Sequence, residues 1–121
     1  MQFAQKNFYK KLLGRVGENK ACAYLKRQGI KVLERNYKNA VGEIDIVAKD
    51  GEYLVFTEVK TRTSEDFGTP SEAVDLKKRQ KYGRIAQMYL KLKGLDDVPV
   101  RFDVIEVEDG NINHIKDAFC M

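Results

Sequence analysis

Gly42-Glu-Ile-Asp-Ile-Val-Ala-Lys-Asp-Gly-Glu-Tyr-Leu-Val-Phe-Thr-Glu-Val-Lys60 is the stretch on which the reading turns. Two runs alternate polar and apolar residues on either side of Asp50-Gly51, the strongest short-range hairpin signal in the chain. With Asp50-Gly51 as a two-residue turn, Lys49 lies opposite Glu52, Asp45 opposite Phe56 and Glu43 opposite Glu58. Cross-strand partners share a face, and side chains alternate with period two. Glu43, Asp45, Phe56, Glu58 and Lys60 then point to one side, and Ile44, Ile46, Val55, Thr57 and Val59 to the other. In this register Asp45 and Glu58 are diagonal neighbours, roughly 7–8 Å apart between backbones.

Working outward, Phe8 to Gln28 reads as a helix ending at Gly29, a residue suited to a helix C-terminus. A strand from Ile30 to Tyr37 leads into the hairpin. Beyond it, Arg62 to Gly68 is a polar loop. Thr69-Pro70-Ser71-Glu72 has the form of a helix start, and the helix runs to about Lys93, with Gly94 after it. Val98 to Glu108 alternates as a strand, Asp109-Gly110 turns the chain, and Asn111 to Ile115 forms a short last strand. The order α-β-β-β-α-β-β predicts one α/β domain over residues 1–121, with helices flanking a mixed central sheet of about five strands.

Of the 121 residues, 43% are hydrophobic, enough for a core without disulfide staples, and 33% are charged. No apolar run approaches the roughly 18 residues of a membrane span, and the start of the chain lacks a secretory apolar stretch. Cys22 and Cys120 form no CxxC pair, and a reducing cytoplasm is the simpler setting. His114 is the sole histidine, which excludes zinc sites built on several His and Cys ligands. Any metal must be held mainly by oxygen, which suits magnesium or manganese. The net charge of +4 agrees with a polyanionic partner, but on charge alone an ordinary lysine-rich surface is the favoured reading.

The hairpin acids carry the chemistry. Like charges close together on a sheet repel, and Phe56 and Leu54 suggest that their face is partly buried. A bound cation offsets that cost; a solvated strand edge with a Glu–Lys pair is the alternative. Glu18 falls on one helix face with Ala21, Cys22 and Leu25, which either aims it inward or leaves it at the stripe's edge in water.

Asp45 followed by Glu58-Val59-Lys60, after a helical Glu18, resembles the PD-(D/E)XK nuclease superfamily. The wider pattern resembles the YraN-like bacterial family of predicted endonucleases. Matching stretches are Gly14-x-x-Gly17-Glu18-x-x-Ala21, Gly42-Glu43-Ile44-Asp45, Val55 to Arg62, Lys78, and Arg101-Phe102-Asp103-Val104, so the resemblance covers nearly the whole chain. Ile44 stands where the superfamily name has proline. The resemblance implies a restriction-endonuclease-like core with the acidic hairpin at its middle, a core shared with Holliday-junction resolvases.

The resemblance further implies Asp45 and Glu58 as ligands of Mg2+ or Mn2+, with the Val59 carbonyl as a third and Glu18 completing the site directly or through water. Lys60 would orient the attacking water or stabilise the charged transition state. Glu43 is an outer candidate, or simply a surface acid. Arg62 follows the catalytic strand directly. Lys10, Lys11 and Arg15 on the first helix, and Lys77, Arg79, Lys81 and Arg84 on the second, are candidates for a nucleic-acid backbone, or form solvated faces. Lys78 differs, because it shares the inward stripe of Val74, Tyr82, Ile85 and Tyr89; it can touch a phosphate or pair with a carboxylate. Tyr24, Tyr82 and Tyr89 fit core positions. Asp103 is expected to pair with Arg101 or a helix lysine, and His114 to be structural or on the surface. Superfamily members often dimerise, so a homodimer is admitted. Two functions stay open: a metal-dependent nuclease acting on branched, nicked or single-stranded DNA, and a nucleic-acid-binding module that keeps the fold and cleaves little.

Overall fold

The computed structural model describes residues 3–62 and 75–119, with side chains from residue 8 onward apart from Lys10. Its elements are α1 (Phe3–Arg27), β1 (Lys31–Lys38), β2 (Glu43–Asp50), β3 (Tyr53–Arg62), α2 (Leu76–Lys93), β4 (Val100–Glu108) and β5 (Asn111–Ile115). The element order is the one the sequence predicts. The polar loop Thr63 to Gly68, the helix start at Thr69-Pro70-Ser71-Glu72, Val74, Cys120 and the Lys10 side chain lie outside the described residues. Within them the expected helix to Lys93 is corrected at its start: Asp75 is extended and caps α2, its carboxylate accepting the Lys78 backbone N–H at 2.9 Å, so α2 begins at Leu76. Its other end closes on Gly94, φ 65, as expected. Among the described residues no helix is long and apolar enough to cross a membrane.

The strands form one sheet in the order β1-β2-β3-β4-β5, parallel only between β3 and β4. A parallel pair needs a crossover, and α2 lies within it. The start of α2 therefore follows the end of β3, which bears Glu58 and Lys60. Ala21, Cys22 and Leu25 of α1 pack on one face of the sheet against Ile46, Ala48, Val55 and Ile105. Tyr82, Ile85 and Tyr89 of α2 pack on the other, against Val47, Leu54, Phe56 and Phe102. On that side Phe56 meets Tyr89 edge-on at 5.5 Å and Phe102 stacks on Phe119 at 5.0 Å.

The two Asp-Gly turns differ. Asp109-Gly110 sits between the paired Glu108 and Asn111, both turn residues with positive φ, as a two-residue hairpin demands. In the first hairpin Asp50 pairs with Tyr53, so the turn is Gly51-Glu52 rather than Asp50-Gly51. Asp50 is kept in the strand by Arg101, 2.9 Å from its carboxylate, and Gly51 alone supplies the positive φ. The expected pairs Lys49–Glu52 and Asp45–Phe56 are thereby replaced by Lys49–Leu54 and Val47–Phe56. The shift is of two places, so β2 keeps its faces relative to β3 along the paired stretch.

Asp103, only 1% exposed, anchors the α1 side. It accepts from Arg101 Nε at 2.9 Å and from the Asp117 backbone N–H at 3.0 Å, and lies 2.7 Å from His114 Nε2. His114 Nδ1 is 3.0 Å from the Tyr24 hydroxyl on α1. A neutral imidazole protonated at Nε2 satisfies both, donating to Asp103 and accepting from Tyr24. His114 is thus structural, and Asp103 pairs with Arg101 as expected. Burial alone would push the Asp103 carboxyl up; donors from His114, Arg101 and Asp117 outweigh it and hold it below its ordinary 3.8. Its stabilising contribution is therefore present above about pH 4 and lost as pH falls through the lowered folded value. Asp103→Ala, which strands His114 and leaves Arg101 with Asp50 alone, should cost about 3 kcal/mol in urea denaturation at pH 7. The difference from wild type should shrink as the pH is lowered below 4.

Candidate active site

The β2–β3 ladder ends at Ile46–Thr57. Beyond that pair Ile44 belongs to the α2-side core and Ile46 to the α1-side core, although residues two apart on a regular strand share a face. β2 therefore changes face at Asp45. Its neighbour β1 does the same: Arg35 reaches Asn19 on α1, whereas Tyr37 stacks edge-on with Tyr89 of α2 at 5.1 Å. Between them, opposite Asp45, Asn36 takes φ 50, a left-handed conformation that asparagine tolerates better than most residues. The expected placing of Ile44 on the face of Ile46 and Val55 is thus corrected, because alternation breaks at Asp45.

Asp45 uses the break. Its Oδ2 accepts the Val59 backbone N–H at 2.7 Å, replacing a ladder bond with a side-chain one. Asp45 stands one residue beyond the last ladder pair, and the charge of Glu58 reaches it. Glu58 is 6% exposed. Its Oε1 lies 2.9 Å from Lys78 Nζ, and its Oε2 is buried with no hydrogen-bond partner. The Tyr82 hydroxyl, one helical turn beyond Lys78, lies against Glu58; burial and then that carboxylate push the phenol well above its usual range.

Glu18 approaches from α1, and its Oε1 is also buried without a partner. Gly17 permits the approach: a Cβ there would run into the Thr61 hydroxyl at the end of β3. Burial raises the Glu18 carboxyl, with Arg35 and Arg15 pulling the other way. Asp45 is pushed from 3.8 up to about 6, chiefly by burial; Glu18 and Glu58 raise it further, while the Val59 N–H and Lys78 oppose. The three acids thus sense one another across α1, β2 and β3.

Lys60 lies two residues beyond Glu58 on the same face of β3 and is half-buried, but the ammonium that reaches the acids is Lys78. Arg62 turns to the buried Glu106, Nε to Oε2 3.3 Å, and Glu106 also takes the Asn113 amide at 3.0 Å. Arg15 and Lys77 are exposed. Arg84 borders an apolar groove with Leu90, Val100 and Phe102, toward the start of β4 and away from the acids. Glu43 is an exposed acid opposite Lys38, though its charge still reaches Tyr82. Asn36 and the Tyr82 hydroxyl are additions that sequence patterning did not supply. Tyr82 could have been found from its place four residues after Lys78, one turn along the same helix face.

Among the described residues the acids do not form a cage of three or more His, Cys, Asp or Glu ligands. Magnesium requires less: it keeps several waters and takes one or two carboxylates. Asp45 and the unpaired Glu58 oxygen are the donors such an ion would take, and the charge of Glu18 reaches Asp45. Held without an ion, Asp45 destabilises the fold at neutral pH, because its folded value lies above its unfolded one. This destabilising contribution of Asp45 should therefore fade as pH falls from above 6 to about 4. Asp45→Asn, keeping an acceptor for Val59, should be more stable than wild type at pH 8 without divalent ions, by up to roughly 3 kcal/mol. That gain should vanish near pH 3.5; urea titrations at the two pH values check it.

Residues 17–107 match the model of a family described as "Uncharacterised protein family UPF0102". A UPF0102 protein of Caldanaerobacter subterraneus is 46% identical over 94% of this chain and 99% of its own length. One of Alkaliphilus oremlandii is 48% identical over 90% of this chain and 98% of its own. One of Desulforapulum autotrophicum is 49% identical, covering 91% and 94%. The matched span runs from Gly17, where α1 meets β3, through both hairpin acids and α2 to the end of the central strands, and by that measure the chain belongs to the UPF0102 family.

Proposed function

We propose that this UPF0102 protein is a divalent-metal-dependent nuclease that hydrolyses phosphodiester bonds in DNA. The observation that carries the reading is the meeting of Asp45 and Glu58 where β2 leaves β3, with a buried Glu58 oxygen left unpaired. A buried carboxylate oxygen left without a partner is costly to a fold and is a mark of functional sites. The resemblance of Asp45, Glu58-Val59-Lys60 and Glu18 to PD-(D/E)XK nucleases supports the same reading.

Asp45 and Glu58 would hold Mg2+ or Mn2+, with Glu18 close enough to act on the same charge. The bound ion supplies a more acidic water and polarises a phosphoryl oxygen. The protein does the rest. The Val59 N–H fixes the Asp45 carboxylate so that it does not have to be ordered on binding. Tyr82 and the aromatic core restrict water around Glu58. Lys60, on the Glu58 face of β3, would stabilise charge developing on a phosphate lying along the strand end. The excess of basic residues attracts the polyanion.

Labelled linear, nicked and four-way DNA incubated with Mg2+ or Mn2+ should be cleaved, and chelation should stop the reaction. Asp45→Asn and Lys60→Ala should each lower the rate at least ~100-fold while the protein stays folded. Binding of these DNAs without cleavage in either metal would overturn the enzyme and leave a nucleic-acid-binding module.

A further inference from the structure

Lys78 is the one ammonium in direct contact with the acids among the described residues, and its surroundings are asymmetric. Glu58 is locked in the sheet and almost fully buried, whereas the Lys78 side chain is 43% exposed. The Lys78 backbone is fixed in the first turn of α2 by its bond to Asp75. Only the flexible four-carbon stem has to move for the ammonium to leave Glu58 and enter solvent. Asp45 meanwhile is tied to Val59 through Oδ2 alone, which leaves its Oδ1 for an ion.

We propose that Lys78 is the resident counter-ion of this site: its ammonium neutralises Glu58 until a divalent cation takes that carboxylate, and the released ammonium then contacts a phosphate of bound DNA. The inference rests on the metal-dependent reading above and extends it to the coupling of two ligands. Two cations on one carboxylate repel, so the ion must displace the lysine before it can use both Glu58 oxygens. The displaced ammonium stays within a stem's length of the ion, beside any phosphate the ion binds. Metal and polyanion therefore favour each other's binding, and the coupling is reciprocal.

Mn2+ binding to the full chain without DNA, followed by electron paramagnetic resonance, tests the displacement. Lys78→Met, which has no ammonium to displace, should bind Mn2+ about tenfold more tightly than wild type, and Glu58→Gln should bind weakly in either background. Equal or weaker binding by Lys78→Met would overturn the counter-ion role and leave the metal site standing. No Mn2+ binding by either protein at millimolar ion would overturn the metal site and this inference together.

A measurement on wild type does not depend on the variant folding. The Lys78 Nζ resonance of 15N-lysine-labelled protein should shift when Mg2+ is added, and a resonance unmoved at saturating Mg2+ would overturn the displacement. For the phosphate contact, the salt dependence of duplex binding in Ca2+ should be steeper for wild type than for Lys78→Met by about 0.9 in log–log slope. Identical slopes would overturn that half of the proposal.

Discussion

The hydrogen bond from the Val59 N–H to Asp45 Oδ2 is the constraint on which the site depends. A backbone N–H beside a parting strand needs an acceptor, and here a carboxylate supplies it. The exchange draws Asp45 toward the sheet and sets it by Glu58, while Ile44 is released to the aromatic core of the α2 side. The neighbouring strand has to follow, and Asn36 absorbs the change in a left-handed conformation. A strand break, a core contact and an acid pair are thus one structural event.

The helices hold the other two groups. Tyr24 lies six residues after Glu18, about 9 Å along the helix axis. Its bond to His114, and through it to Asp103, fastens α1 to β4 and β5. Gly17 fastens the same helix to the end of β3 by close approach. With two such attachments on either side of it, the Glu18 side chain is positioned by packing rather than by its own hydrogen bonds. On the opposite face, Tyr82, Ile85 and Tyr89 seat α2 on the sheet, and the first turn presents Lys78 to Glu58.

Much of this was legible in the residues. Period-two alternation placed the hairpin strands and the fourth strand, and Gly29 and Gly94 closed both helices where expected. The acids were found because alternation survives a two-place change of register. What patterning could not supply was the change itself, since Asp50 is kept in its strand by Arg101, half a chain away. The face change at Asp45 was illegible for the same reason: it depends on which core takes Ile44, and that is a tertiary decision. Arg62 read as a substrate contact because its partner Glu106 lies on a strand that only the parallel pairing brings alongside. Lys78 was readable from its helix face, but phosphate and carboxylate were equal partners until the crossover placed it over Glu58.

The way the fold treats its buried acids distinguishes this cluster from incidental charge. Asp103 receives hydrogen bonds on both oxygens. Glu106, beside Lys60 in the β3–β4 register, has Asn113 on one oxygen and Arg62 on the other. Glu34 also leaves an oxygen unpaired, with the Tyr89 hydroxyl on its carboxylate as the Tyr82 hydroxyl is on that of Glu58; what sets Glu58 apart is the reach of its charge to Asp45. Glu58 and Glu18 each leave a buried oxygen unpaired, and both raise the proton affinity of the Asp45 between them. A frame that satisfies Asp103 and Glu106 so fully could satisfy these as well. Their shared deficit, gathered where the central strands part, is what the proposed divalent cation would meet and Lys78 meets only in part.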